Sequence, residues 1–437
     1  MSIFGKLIWA VSFSFFSLQL MAQADLSTMM CKQLPQSALF NPANLPNYRF
    51  ALTLPSLYFG ATSSSVSIQD IINNKNGSWI NNLSANNSLG TDLNIETVGI
   101  YFGSKKLKFG IHHAIRSSGN IEYPKNLADL IWFGNSKFIG KTMELGPKID
   151  FNSFHEIGLA AAFNFGKLTI GGRVKYLSGI GNISTKNNQL SLFTSDDIYQ
   201  LKLTSDFALN SSGTVNYYSI DSLTFDSKQL NFNKLFGKNS GLAFDLGANY
   251  DVTSKLQIGV GIHDLGGSIT WKDNVQNLNS KGTFEYNGLE LKNILYSDST
   301  NNFDHVLDSV KKAFNLVQTN TSYKSSISTR YFATAQYKVS NSLSLNGILF
   351  FESLAAKTVT SFAIGGNYNL FSWLNIGANY AAKQNSAFNI GLNTTLKIGP
   401  VQIFALTDNI LAITNPYNSR NASGRIGVNV LIGKLEN

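Results

Sequence analysis

The chain is short of cysteine, of charge and of long apolar runs, and each shortage excludes a class of protein. Cys31 is its one cysteine, so no internal disulfide forms, and stability after export rests on sheet closure and packing. Beyond the first 24 residues no segment approaches the roughly twenty consecutive apolar residues of a membrane-crossing helix, which excludes a helical membrane protein. Charged residues make up 14% of the sequence, where a soluble domain carries about 25%. Chemical signatures are missing as well: there is no Gly-x-Ser-x-Gly elbow and no Gly-x-x-x-x-Gly-Lys-Ser/Thr phosphate loop. His112, His113, His155, His263 and His305 are scattered without metal-ligand spacing. Neighbours such as His112 and His113 on a strand point to opposite faces. No enzyme, cofactor or metal site is expected.

What the chain has is alternation. Between Glu156 and Lys175, the residues Ile157, Leu159, Ala161, Phe163 and Phe165 share one parity, with Gly158, Ala160, Ala162 and Asn164 between them. After a turn at Gly166–Lys167 the pattern resumes with Leu168, Ile170, Val174 and Tyr176. Successive strand side chains point to opposite faces, so one face is greasy and the other small or polar. In a soluble sandwich the greasy face is an inner core. In an outer-membrane barrel it faces lipid, and the polar face lines the lumen. Aromatic residues reach 12%. A chain poor in charge, rich in Gly and aromatics and lacking long apolar runs suits the barrel.

Six tight turns interrupt such runs, near 103–106, 165–168, 251–254, 339–342, 370–373 and 397–400. Six hairpins supply twelve strands, and the single runs Tyr48–Gly60 and Ala422–Lys434 bring the count to fourteen. Single-chain bacterial barrels have even strand numbers and short periplasmic turns. All six turns and both termini therefore fall on the periplasmic side. The longer connections, about 61–94, 117–154, 179–240, 266–326 and 410–420, are expected to be extracellular. Helical spacing predicts short helices over Phe303–Gln318 and Asn126–Phe133 in those loops.

The first residues read as a secretory leader: Lys6, an apolar stretch Leu7–Leu20, and the small-x-small site Ala22-Gln23-Ala24. Thr28-Met29-Met30 ahead of Cys31 lacks the small residues of a lipoprotein site. The expected organisation is a signal peptide over 1–24, a periplasmic or plug segment over 25–47 and a barrel over 48–437. The formal charge of +9 is dispersed along the chain. Export and dispersal together argue against a nucleic-acid partner, and attraction to anionic outer-membrane lipid accounts for the excess.

Three stretches carry a resemblance. They are Pro35-Gln36-Ser37-Ala38-Leu39-Phe40-Asn41-Pro42-Ala43 with Pro46 and Ala51–Leu57; Gly134-Asn135 with Phe138-Ile139-Gly140; and Glu156 through Gly171-Gly172-Arg173-Val174-Lys175-Tyr176-Leu177-Ser178-Gly179 to Ile183-Ser184-Thr185. Together they resemble an uncharacterised family of Bacteroidetes outer-membrane proteins, a domain of unknown function. That family is similar to the long-chain fatty-acid transporter superfamily and to barrel components of the type IX secretion system. The resemblance implies an all-β, fourteen-stranded transmembrane antiparallel barrel in the outer membrane of a Gram-negative bacterium. It also implies that Asn41-Pro42-Ala43 lies in a lumen plug. Asn starts turns, Pro fixes φ, and Ala permits close approach to a wall. The chain departs from the usual barrel ending: Leu431–Asn437 has no terminal aromatic.

Arg173, Lys175, Asp245, Arg330, Lys338, Glu352 and Arg425 share the polar parity of their strands. They read either as a salt-bridged lumen filling or, for Arg173, Lys175 and Arg330, as counter-ions for a carboxylate ligand. Asp264-Leu265-Gly266 and Asp408-Asn409 read as turn formers at strand ends. Trp132 and Phe133, with Leu130 and Ile131, and Phe314 in the second predicted helix, are candidates for an apolar capture groove. The expected function is binding or passage of a hydrophobic small molecule such as a fatty acid. The alternative is a non-transporting accessory barrel that docks a secretion-system or surface-assembly protein.

Overall fold

The computed structural model describes residues 25–435 apart from 74–75, 198–199, 220–221, 226–234, 287–316, 355–356 and 384–385. Fourteen antiparallel strands form the wall. They are β1 (Tyr48–Ser63), β2 (Asn86–Gly103), β3 (Leu107–Pro124), β4 (Lys148–Asn164), β5 (Leu168–Thr194), β6 (Ser240–Asp251) and β7 (Leu256–Trp271), then β8 (Thr329–Lys338), β9 (Leu343–Leu354), β10 (Lys357–Phe371), β11 (Leu374–Lys383), β12 (Ser386–Ile398), β13 (Val401–Thr407) and β14 (Asn421–Lys434). Each pairs with the next. β1 pairs with both β2 and β14, which closes the ring and leaves no free wall edge.

Alternation turns each strand inside out relative to a soluble sheet. Along β14, Ile426 and Ile432 face outward at 59% and 52% exposed, while Arg425 and Asn429 on the opposite parity are 1% and 0% exposed. Leu159, Val174, Val260 and Ile364 repeat the outward pattern on other strands. Exposing such side chains to water forfeits about 1.5–3 kcal/mol each, so this outer belt is fitted to an apolar surround.

All six tight turns lie where the alternation breaks. Left-handed glycines serve two of them, Gly166 (φ 81°) and Gly399 (φ 58°). The aromatic pairs Phe102–Phe109, Phe163–Phe165 and Phe371–Trp373 cluster beside the turns, their ring centroids 5.3–6.3 Å apart, as in a membrane-interface girdle.

The other end departs from expectation. Much of 61–94, 117–154 and 179–240 is strand rather than loop: β2 starts at Asn86, β3 runs to Pro124, and β5 runs to Thr194. Above the rim β5 pairs with Leu201–Gly213, which pairs in turn with Gln276–Tyr286. These extensions are rich in Asn, Ser and Thr on both faces, so no greasy parity marks them. The helix α1 (Lys125–Phe133) forms within a residue of its predicted start. The predicted helix over Phe303–Gln318 lies outside the described residues except for Val317 and Gln318, which belong instead to a short strand, Val317–Thr319.

Candidate functional site: the filled lumen

Residues 25–47 run inside the barrel. Their helical pieces, Leu26–Met30, Pro35–Leu39 and Pro42–Asn44, are three to five residues long, too short to hold themselves. The wall holds them from several sides. Leu26, Met29 and Met30 pack on Phe332, Ile348, Phe350, Ala363 and Ala381 of β8–β11. Cys31 and Leu34 meet Phe404 and Leu406 of β13. Ala38 and Leu45 meet Ala51, Tyr101, Ala160, Ala162 and Leu431 across β1, β2, β4 and β14. Burial pushes the Cys31 thiol well above its usual range.

Polar ties complete the fit. Gln36 Nε2 donates to Glu96 Oε2 (3.0 Å) and Asn429 Oδ1 (2.8 Å), and Asn429 Nδ2 donates back to Gln36 Oε1 (3.1 Å). Arg425 Nε donates to Asp25 Oδ2 at 2.7 Å. Asp408 accepts from the Ser27 backbone N–H and from Lys383 Nζ, each at 2.9 Å. Toward the tight-turn end, Lys32 Nζ donates to Gln257 Oε1. Burial lowers the Lys32 pKa to about 8, against the opposing pull of Asp251.

Asn41-Pro42-Ala43 sits on a bare patch of wall. Gly171 of β5 and Gly247 of β6 are register partners. A Cβ on Gly247 would run into Asn41 Oδ1 and Pro42, and one on Gly171 into the Pro42–Ala43 backbone. Asn41 Oδ1 also accepts from the Ala43 N–H at 2.9 Å and caps the short turn.

Beside this patch lies a lattice of buried charge. Arg173 Nη1 donates to the Leu39 carbonyl (2.7 Å) and Asp245 Oδ2 (3.0 Å), and Nη2 donates to the Ala38 carbonyl. Lys175 Nζ is 2.7 Å from carboxylate oxygens of both Asp245 and Asp264, and 2.9 Å from His263 Nε2. Asp245, His263 and Asp264 are grouped closely enough to hold a metal ion, but the Lys175 ammonium already sits where the ion would go. Arg116 bridges Glu156 Oε2 (2.7 Å) and Asp264 Oδ2 (2.8 Å), and His112 Nε2 meets Glu156 Oε1 at 2.9 Å.

Of the candidates read from sequence, Arg173 and Lys175 come together in this lattice, each committed to protein partners. Arg330 lies higher, paired with Glu352 (2.9 Å) and Asp92 (3.6 Å). Lys338 is exposed near a turn. Trp132 and Phe133 are distant, on α1 in an outer lobe built on Val66, Ile80 and Leu83. There Trp132 meets Trp79 edge-on at 5.8 Å, and the Phe133 ring lies 3.7 Å from Lys137 Nζ. Phe314 lies outside the described residues. Asp264 is not a turn former. It sits within β7 at an irregularity in the pairing, with φ 60° and no exposure, and its side chain is aimed into the lattice. Asp408, 1% exposed, does follow the end of β13, and its carboxylate also holds the 25–47 segment through Ser27. Parity counting missed Asp264 because it assumes regular strands. It also passed over Glu96, Arg116 and Glu156, whose parity was readable.

The sequence profile of the family of unknown function DUF5723 matches residues 42–408. No curated protein matches the chain. Similar solved structures include the Ralstonia pickettii toluene transporter TbuX, at 11% identity and TM-score 0.45, covering 91% of this chain and 94% of that one. A Pseudomonas aeruginosa FadL homologue gives 12% identity and TM-score 0.44, covering 92% and 95%. The translocator domain of the autotransporter NalP from Neisseria meningitidis gives 9% and 0.32, covering 87% and 88%.

Proposed function

The chain belongs to the family of unknown function DUF5723, and we propose that it is a gated outer-membrane barrel that passes a hydrophobic small molecule, with residues 25–47 as a movable plug. One observation carries this reading. The segment filling the lumen continues into β1 at Tyr48 but is otherwise held to the wall by noncovalent contacts, without a disulfide, so it can leave while the ring stays closed. The apolar outer belt, the aromatic girdle and the polar interior support a membrane-spanning placement. The tight turns and both wall termini then face the periplasm.

Support for an apolar cargo comes from the outer face. A hollow of about 830 Å³ lies beside β13, the shortest wall strand, lined by Tyr368, Ile376, Ala378, Leu392, Ile413 and Ile426. A fatty acid is the cargo class we favour. The completeness of the lumen filling favours a second reading, a closed accessory barrel that docks another protein.

Cys31 separates the two, because it is the only thiol and is fully buried between the plug and β13. In the gated reading, maleimide labels Cys31 of the native protein slowly, and palmitate accelerates labelling. If Cys31 stays protected with palmitate but a stable protein partner co-purifies, the accessory reading replaces it.

A further inference from the structure

Above the lattice, on the side opposite the tight turns, the barrel mouth holds a two-chambered cleft. The inner chamber, about 50 Å³, lies between β3, β4, β8 and β9 and is lined by Arg116, Asn120, Asn152, Ser328, Arg330 and Glu352. It continues through Asp150, Ser326, Ile327 and Ser328 into an outer chamber of about 820 Å³. That volume falls in the range of small-molecule sites, about 300–1,000 Å³. Its lining is mainly amide and hydroxyl, such as Asn210, Asn277 and Thr321 with the ring of Tyr323, and it carries Lys148, Lys186 and Lys324 alongside Glu122 and Asp150. This is unlike the greasy hollows on the outer wall.

The charges around the inner chamber are already matched. Arg116 is taken by Glu156 and Asp264, Arg330 by Glu352 and Asp92, and Asp150 accepts from Asn152 Nδ2 at 2.9 Å. The unmet capacity belongs to Asn120 and Glu352. Asn120 is 8% exposed, and neither its Nδ2 nor its Oδ1 has a partner; Glu352 Oε2 is also without one. A buried polar atom left unpaired is costly. Asn120 asks for a group that both accepts and donates, and Glu352 asks for a donor. An ionised carboxylate offers no donor, and an ammonium offers no acceptor. A hydroxyl offers both.

We propose that this mouth binds the end of a neutral saccharide. Two neighbouring hydroxyls sit in the inner chamber, one pairing with Asn120 and the other donating to Glu352, and the sugar rings lie in the outer chamber among amides and hydroxyls beside Tyr323. The site is separate from the plug and goes beyond the transport reading.

The test uses the purified full-length barrel in detergent and four probes: maltotriose, cellotriose, mannotriose and chitotriose, titrated by calorimetry. At least one is expected to bind. Asn120→Leu then weakens it about tenfold, and Ser328→Trp, which fills the passage between the chambers, abolishes it. Heat-modifiable gel mobility checks that each variant is a folded barrel. Absence of heat from all four probes at 10 mM assigns the inner chamber to water and overturns the proposal, as does an affinity unchanged in both variants. Neither outcome bears on Cys31 labelling, so failure here is distinguishable from failure of the gate.

Discussion

Arg173 is the residue on which the plug most depends. Its guanidinium joins two plug carbonyls to the Asp245 carboxylate, a forked task that a lysine ammonium cannot copy. Arg173→Met removes that bridge and leaves Asp245 to Lys175 and the Asp264 backbone N–H. Each charge-assisted hydrogen bond lost to a plug carbonyl costs about 1.5–3 kcal/mol, so maleimide labelling of Cys31 should accelerate by roughly a hundredfold or more, and Arg173→Lys should not restore protection. Unchanged labelling in Arg173→Met would show that the bridge is not what holds the plug. Lys32 makes docking sensitive to pH. In a released plug its ammonium titrates near about 10.4, whereas in the docked plug it titrates at about 8. Between those values the released form binds more protons, so docking strengthens as pH rises from 8 toward 10 and is weakest below 8. The gain is at most about 3 kcal/mol. Opening events in planar bilayers should be rarer at pH 9.5 than at pH 7, and Lys32→Met should remove the difference.

At the scale of elements, the paired glycines of β5 and β6 explain why the plug can lie so close to the wall. Gly247→Val puts a branched side chain into the space held by Asn41 and Pro42, yet valine suits a strand. The expected result is a folded barrel with Cys31 exposed. Gly172→Val is the control, since a Cβ there has only a distant Leu246 methyl (3.9 Å) and a backbone oxygen nearby. If both variants protect Cys31 equally, the close approach at Gly247 does not seat the plug. These elements also show what could be read in advance. The six hairpins were legible because lipid-side residues such as Ile258 and Val260 must be apolar while their lumen-side neighbours need not be. The rim extensions of β5 and its partners were not legible, because above the greasy belt neither face is selected for burial in lipid. The irregularity that turns Asp264 inward was hidden for a related reason: one displaced residue resets parity and leaves no mark in composition.

For the whole molecule, strand number, closure and the placement of the tight turns followed from alternation, because closing a ring of inside-out strands leaves few solutions. What fills the ring did not follow. Arg173 and Lys175 also admitted a reading as ligand counter-ions, and only the three-dimensional arrangement shows Asp245 and Asp264 completing them. The separation of chemistry along the barrel axis was also beyond sequence: plug and charge lattice lie below, the hydroxyl-lined cleft above, and the aromatic lobe with Trp132 and Phe133 to one side. The lattice itself has a consequence for the open state. Its members Arg116, Arg173 and Lys175 are matched by Glu156, Asp245 and Asp264, three positive charges against three negative. Glu96 lies level with Glu156 and meets Gln36, Thr53, Ser56 and Tyr101 rather than a cation, so an emptied waist carries one negative charge in excess there and passes potassium more readily than chloride.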